Sequence, residues 1–153
     1  MSQRIVAALC FLTACGPPPP QELQAKGGEQ IYAKLCANCH APDGHSLTTL
    51  APPLGPHAVR MLEAGGRAHL IRIVLNGMSG RIEVGGRPYN SLMTPLRYLK
   101  DEQVADVLNY ILTSWDNDKR LPPGHQPITP EEVRKERVPV RSPKEMAEQR
   151  PRL

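Results

Sequence analysis

Cys36-Ala37-Asn38-Cys39-His40 is the stretch that organises this chain of 153 residues. Two thiols three positions apart, on or near a helical turn, can reach the two vinyl groups on one edge of a porphyrin. The next residue then swings an imidazole onto the iron, which is the chemistry behind the C-x-x-C-H haem-attachment pattern. Two other uses of such a pair are a thioredoxin-like dithiol and half of a zinc site. The dithiol needs a βαβ setting, and the surrounding pattern supplies none. Zinc needs a second Cys/His pair at ribbon or finger spacing, and the sequence holds none. Covalent haem, one per chain, is therefore the expected cofactor, with Cys36 and Cys39 as attachment points and His40 as an axial ligand.

The amino-terminal side of the motif supports the same chemistry. Arg4 precedes an apolar run from Ile5 to Leu12, which has the form of an export signal. The run ends in Leu12-Thr13-Ala14-Cys15, which resembles a bacterial lipobox, with residues 1–14 as the lipoprotein signal and Cys15 as the lipidated residue. Gly16, rather than Asp, follows; in the enterobacterial pattern this favours the outer membrane. Residues 15–26, with Pro17 to Pro20, are expected to form a Pro-rich tether on the periplasmic side of the envelope. Of the four cysteines, Cys10 leaves with the leader and Cys15 carries lipid, so only Cys36 and Cys39 remain. No disulfide framework can be built from them beyond a pair with each other.

Composition fits a cofactor-filled core. Seventeen prolines and 4% aromatic residues promise much irregular chain and a small protein core, which a porphyrin would complete. Nineteen Lys and Arg against fifteen Asp and Glu are too mild an excess to suggest nucleic acid. No apolar stretch approaches the roughly 18 residues of a membrane-spanning helix, which excludes a polytopic membrane protein.

Periodicity predicts three helices. Gly28 to Cys36 pairs Ile31 with Leu35 and sets Gly28 and Tyr32 on an adjoining face. Arg67 to Asn76 carries Leu70, Ile73 and Val74 as its stripe and stops at Gly77. The last is the clearest: Val104, Val107, Leu108, Ile111 and Leu112 share one face, with Lys100 or Asp101 as N-cap. Residues 41–66 show no period and are expected to form a loop over the haem, and Ile82 to Tyr89 a small hairpin turning at Gly85-Gly86.

Residues 27–116 resemble class I cytochromes c, small all-α electron carriers of three to four short helices around one covalent haem. Within that class the chain is similar to single-haem domains attached to bacterial dehydrogenases and copper nitrite reductases. The stretches that carry the likeness are Ala51-Pro52-Pro53-Leu54, Tyr89-Asn90-Ser91-Leu92-Met93, and Asp101 to Trp115 with Asp116-Asn117 after it. The resemblance implies that Gly28 and Tyr32 meet the final helix near Val107 and Tyr110. It also implies that the Pro52 carbonyl, with Pro53 as a close rival, accepts the His40 Nδ1–H.

For the second axial position the candidates are Met61, Met78, Met93 and Met146, with His45, His57, His69 and His125. Met93 is preferred: it lies far beyond His40, in an irregular loop before the last helix, and its neighbours match the family. One departure is Thr94, which stands between Met93 and Pro95 where relatives usually have Pro directly. Met78, after Gly77, is the second choice. Arg81, Arg87 and Arg97 are open candidates for the haem propionates.

Residues 27–118 form the expected cytochrome domain and 119–153 a basic, Pro-rich tail, irregular apart from two candidate short helices. The tail holds nine Lys and Arg against five acidic residues; residues 15–118 hold nine against ten. Thr129-Pro130-Glu131-Glu132 and Ser142-Pro143-Lys144-Glu145 match helix-start boxes, but neither precedes a strong apolar stripe. Such a tail is either a docking arm for an acidic partner or anionic headgroups, or a solvated extension. The function expected is single-electron transfer to and from redox protein partners, with the membrane reached by the lipid anchor. Two filled axial sites would leave no small-molecule substrate. The alternatives are a haem enzyme or gas sensor with an open sixth site, and a cytochrome subunit of a larger oxidoreductase.

Overall fold

The computed structural model describes residues 20–46, 48–151 and 153. The leader, Cys15 and the start of the tether lie outside the described residues. Seven α-helices, one 3₁₀ turn and one hairpin make up the fold among the described residues: α1 Pro20–Leu35, α2 Ala37–His40, α3 Gly55–Glu63, α4 Arg67–Asn76, β1 Ile82–Val84, β2 Arg87–Tyr89, α5 Asp101–Thr113, the turn Asp118–Arg120, α6 Pro130–Glu136 and α7 Pro143–Glu148. The core gathers α1, α3, α4 and α5, with Tyr32, Ile71, Leu75, Val104, Val107 and Leu112 almost wholly buried. No helix among the described residues is long and apolar enough to cross a membrane.

Helix α1 crosses α5 at a glycine. A Cβ on Gly28 would stand 2.2 Å from the Asp106 carbonyl oxygen and 2.7 Å from Tyr110 Cβ, so only a residue without a side chain lets the two backbones approach this closely. The crossing is the one the resemblance implied, with Asp106 rather than Val107 as the nearest neighbour. Beside it Tyr32, Tyr110 and Trp115 stack with ring centroids 5.0–5.6 Å apart. The Tyr32 hydroxyl donates to the Ala41 carbonyl at 2.6 Å, fixing the chain just beyond His40.

The predicted α4 is found with its bounds intact. It ends at Gly77, whose φ of +70° is one that residues with a side chain rarely adopt. Helix α5 also starts as expected, with Lys100 as N-cap and its N–H donating to Gln103 Oε1 at 2.9 Å. The hairpin pairs Ile82 with Tyr89 and Val84 with Arg87 across the two-residue turn Gly85-Gly86.

Three expectations are corrected. Helix α1 begins at Pro20 rather than Gly28, taking up much of the stretch assigned to the tether. The loop expected over 41–66 contains α3, which starts beside Pro56 and buries Ala58, Val59 and Met61. Nor is the tail irregular. Its two helices form with the capping boxes read from sequence: Glu132 N–H donates to Thr129 Oγ1 at 3.3 Å, and Glu145 N–H to Ser142 Oγ at 3.2 Å. Ile128, Val133 and Met146 are buried as anchors, supplying in single residues the packing that a stripe would otherwise provide.

Polar clamps hold this C-terminal segment down. Arg67 on α4 donates from Nε to Glu132 at 2.6 Å and from its two terminal nitrogens to the Gln126 and Pro127 carbonyls, each at 2.8 Å. Asn109 on α5 donates to the Ile128 carbonyl at 2.9 Å and accepts from the Ile128 N–H at 2.7 Å, closing the bond pattern of a β-bridge with a side chain. Arg137 reaches Asp101 at 2.6 Å and the Leu99 carbonyl at 2.7 Å, and Arg72 pairs with Glu136. Part of the positive excess is thus spent inside the fold.

Candidate haem site

Cys36 sits between α1 and α2, its N–H bonded to the Tyr32 carbonyl at 2.9 Å; the Cys39 and His40 N–H groups both donate back to the Cys36 carbonyl, at 3.1 and 2.9 Å. One helical turn therefore carries both thiols and the imidazole. Cys36 is buried and Cys39 exposed, and both are free thiols. Burial, with the neighbouring Cys39, pushes the Cys36 thiol up to about 11. A redox-active dithiol depends on a lowered thiol pKa, so this environment disfavours that use of the pair.

His40 is buried, and its Nδ1 lies 2.8 Å from the Pro52 carbonyl oxygen. The carbonyl can only accept, so Nδ1 carries the proton and Nε2 is left as a lone-pair donor. Burial lowers the imidazole pKa, with the Pro52 contact acting the other way, and the neutral form that ligation needs is favoured. Of the rivals Pro52 and Pro53, it is Pro52 that makes this contact.

A largely apolar cavity opens beside this turn. Cys36, Cys39, His40 and Pro52 line it from one side of the sequence; Met61 comes from α3, Leu70 and Val74 from α4, Met78 and Met93 from the following loops, and Leu108 and Leu112 from α5. Met78 and Met93 are paired by two backbone bonds, Met78 N–H to the Met93 carbonyl at 3.1 Å and the reverse at 2.8 Å. Both preferred sulfur candidates therefore enter the cavity from one bridge, Met78 buried and Met93 partly exposed. Met146 lies under the C-terminal segment and does not line the cavity. An apolar cavity in a helical core, bordered by two free thiols, a neutral imidazole with a free Nε2, and thioether sulfurs, fits a covalently attached haem.

Among the histidines, His45 turns back on the Asp43 carbonyl at 2.7 Å, and His69 is buried in α4 away from the cavity. His57 does line the cavity, beside Arg150. Of the arginines weighed for the propionates, Arg81 and Arg87 are exposed and Arg97 donates to Asn76 Oδ1 and the Arg137 carbonyl; none lines the cavity. Sequence reasoning missed Arg150 and α3. The Ser142 box signalled a helix just before Arg150, but no local signal showed where that helix docks.

Known proteins give the same picture. The cytochrome c family pattern matches residues 25–115. Cytochrome c-552 of Thermus thermophilus is 41% identical over 127 residues, covering 82% of this chain and 95% of that protein. The cytochrome c subunit of the quinone alcohol dehydrogenase of Gluconacetobacter polyoxogenes is 32% identical over 92 residues, 59% of this chain but 19% of the subunit. The gluconate 2-dehydrogenase cytochrome c subunit of Pantoea cypripedii is 37% identical over 97 residues, 59% of the chain and 20% of that subunit.

Proposed function

Because the chain belongs to the cytochrome c family, and is thus an electron-transfer protein with covalently bound haem c rather than an enzyme in its own right, we propose that it is a lipid-anchored single-electron carrier with both axial positions filled. Cys36 and Cys39 would form the thioethers, and His40 Nε2 and Met93 Sδ would hold the iron. When bound, the haem supplies a one-electron Fe(III)/Fe(II) couple, and burial with a soft sulfur ligand raises its potential. The protein's own work is to hold and insulate. Pro52 fixes the His40 ring through the 2.8 Å contact with Nδ1, which is the observation that carries the reading. The apolar walls would exclude water from the bound group and leave few dipoles to reorient around it.

Separating the two sulfurs tests the axial assignment. In Met93→Ala the weak long-wavelength sulfur-to-Fe(III) band should vanish, and in Met78→Ala it should persist. The reverse pattern would move the ligand to Met78.

A free carrier is favoured over a dehydrogenase subunit. The match to the Thermus protein takes in chain beyond residues 25–115, whereas the matched subunits extend far beyond the region shared with this chain. Its partners are redox proteins that donate and accept the electron. The lipobox at Cys15 supports attachment to the periplasmic face of the envelope, with Gly16 favouring the outer membrane. Cys15→Ser should shift the protein from the membrane fraction to the soluble periplasmic fraction; an unchanged distribution would remove the anchor.

A further inference from the structure

Arg150 lies beyond the family match, just after α7, yet it borders the same cavity as Cys36, His40 and Met93. It is the arginine that lines that cavity among the described residues. Its terminal nitrogen Nη2 stands 3.2 Å from His57 Nε2 on α3. A guanidinium can only donate, so His57 Nε2 accepts and the ring proton lies on Nδ1. No carboxylate among the described residues is within ion-pair distance of Arg150. A half-buried cation next to a neutral ring is costly to leave so, because desolvation is not offset by an opposite charge. Burial indeed pulls the Arg150 pKa below its ordinary value, and burial followed by the nearby Arg150 holds His57 at about 4. What the pair lacks is an anion arriving from the cavity side.

We propose that Arg150, supported by His57, binds a haem propionate carboxylate, so that the C-terminal segment is a working part of the haem site. The inference rests on the haem reading above and adds to it the residue that neutralises the cofactor's own charge. It also gives the packing of α7 a purpose. Met146 and the Ser142 cap seat the helix, the Ser79 N–H donates to the Pro143 carbonyl at 2.9 Å, and the chain leaving α7 carries the guanidinium to the cavity. Arg81, Arg87 and Arg97 are thereby released from the role.

The test uses the full-length, haem-loaded protein. In the reduced, diamagnetic state, nuclear Overhauser contacts should join the propionate methylene protons to the Arg150 δ-methylene and the His57 ring. Removing a cation beside the haem stabilises the more positive oxidised state, so Arg150→Gln should lower the midpoint potential, and Arg150→Lys should restore most of it. A wild-type potential in Arg150→Gln, or propionates in contact only with other residues, would overturn the proposal. If Arg150→Gln fails to mature, the contacts in the wild-type protein decide alone. Haem content, measured separately from the pyridine haemochrome spectrum, keeps the two readings apart: a chain without thioether-linked haem would overturn both, whereas a loaded chain with unmoved potential overturns only this one.

Discussion

Replacing Gly28 with alanine puts a methyl group 2.2 Å from the Asp106 carbonyl oxygen and 2.7 Å from Tyr110 Cβ. A carbon–oxygen contact settles at about 3.3 Å or more, so α1 and α5 must part by roughly 1 Å. The obstacle is the backbone of α5, which cannot rotate aside. Overpacking of this kind costs about 1–3 kcal/mol, and a gap of that size forfeits up to about half the dispersion energy of the contacts along the crossing. Alanine recovers about 1 kcal/mol of helix propensity. The net loss should be about 2 kcal/mol, or roughly 6–10 °C in Tm for a domain of this size. Gly27 on the same helix is the control: its Cβ would meet only Asp106 Oδ2 at 3.2 Å, the mobile end of a side chain, so Gly27→Ala should be neutral or stabilising by about 0.5 kcal/mol. Urea unfolding of the haem-loaded variants, followed by helical circular dichroism, measures both. Equal effects at the two glycines, or a Gly28→Ala protein within about 0.5 kcal/mol of wild type, would refute the crossing argument.

Met146 is fully buried beneath α7, so Met146→Ala should cost about 2–4 kcal/mol locally, seen as loss of amide exchange protection in α7 with protection in α5 retained. The Arg67 hydrogen bond holds the Glu132 carboxyl at about 2, against an ordinary 4.5, so the clamp on α6 is fully present above pH 4.5 and is lost as pH falls toward 2. Amide exchange in α6 should accelerate over that interval, and Glu132→Gln should lose most of this dependence; an unchanged acid profile in the variant would place the titration elsewhere. Pro52 fixes His40 through its backbone, so Pro52→Ala, which keeps the carbonyl, should leave haem loading intact, as the haemochrome spectrum would report.

The parts of this molecule legible in sequence are those specified locally. The C-x-x-C-H spacing is fixed by the porphyrin edge, α4 and α5 repeat their apolar residues at helical intervals, and Gly77 and Lys100 end and begin them with identifiable chemistry. Gly28 could be placed at a crossing because the family likeness supplied its partner. Helix α3 was hidden because Pro52, Pro53 and Pro56 make its start look like loop, while Val59 and Met61 are too few to show a period. The docked C-terminal segment was hidden for a different reason. It is held by single anchors, Val133 and Met146, and by Arg67 reaching Glu132 some 65 positions away, which no local window contains. At the site, the motif identifies Cys36, Cys39 and His40, and the sequence ranks Met93 ahead of Met78; the fold sets both on one bridge at the cavity, with Met61 lining it from α3.

Absorption spectra of the purified, haem-loaded protein, oxidised, reduced and then exposed to CO, test the central claim most directly. A carrier closed by His40 and Met93 should be low-spin in both states, show the weak sulfur-to-Fe(III) band when oxidised, and leave the reduced spectrum unmoved by CO. A high-spin spectrum that shifts at once on adding CO would mean an open iron site, and electron transfer between two filled axial positions would no longer describe this protein.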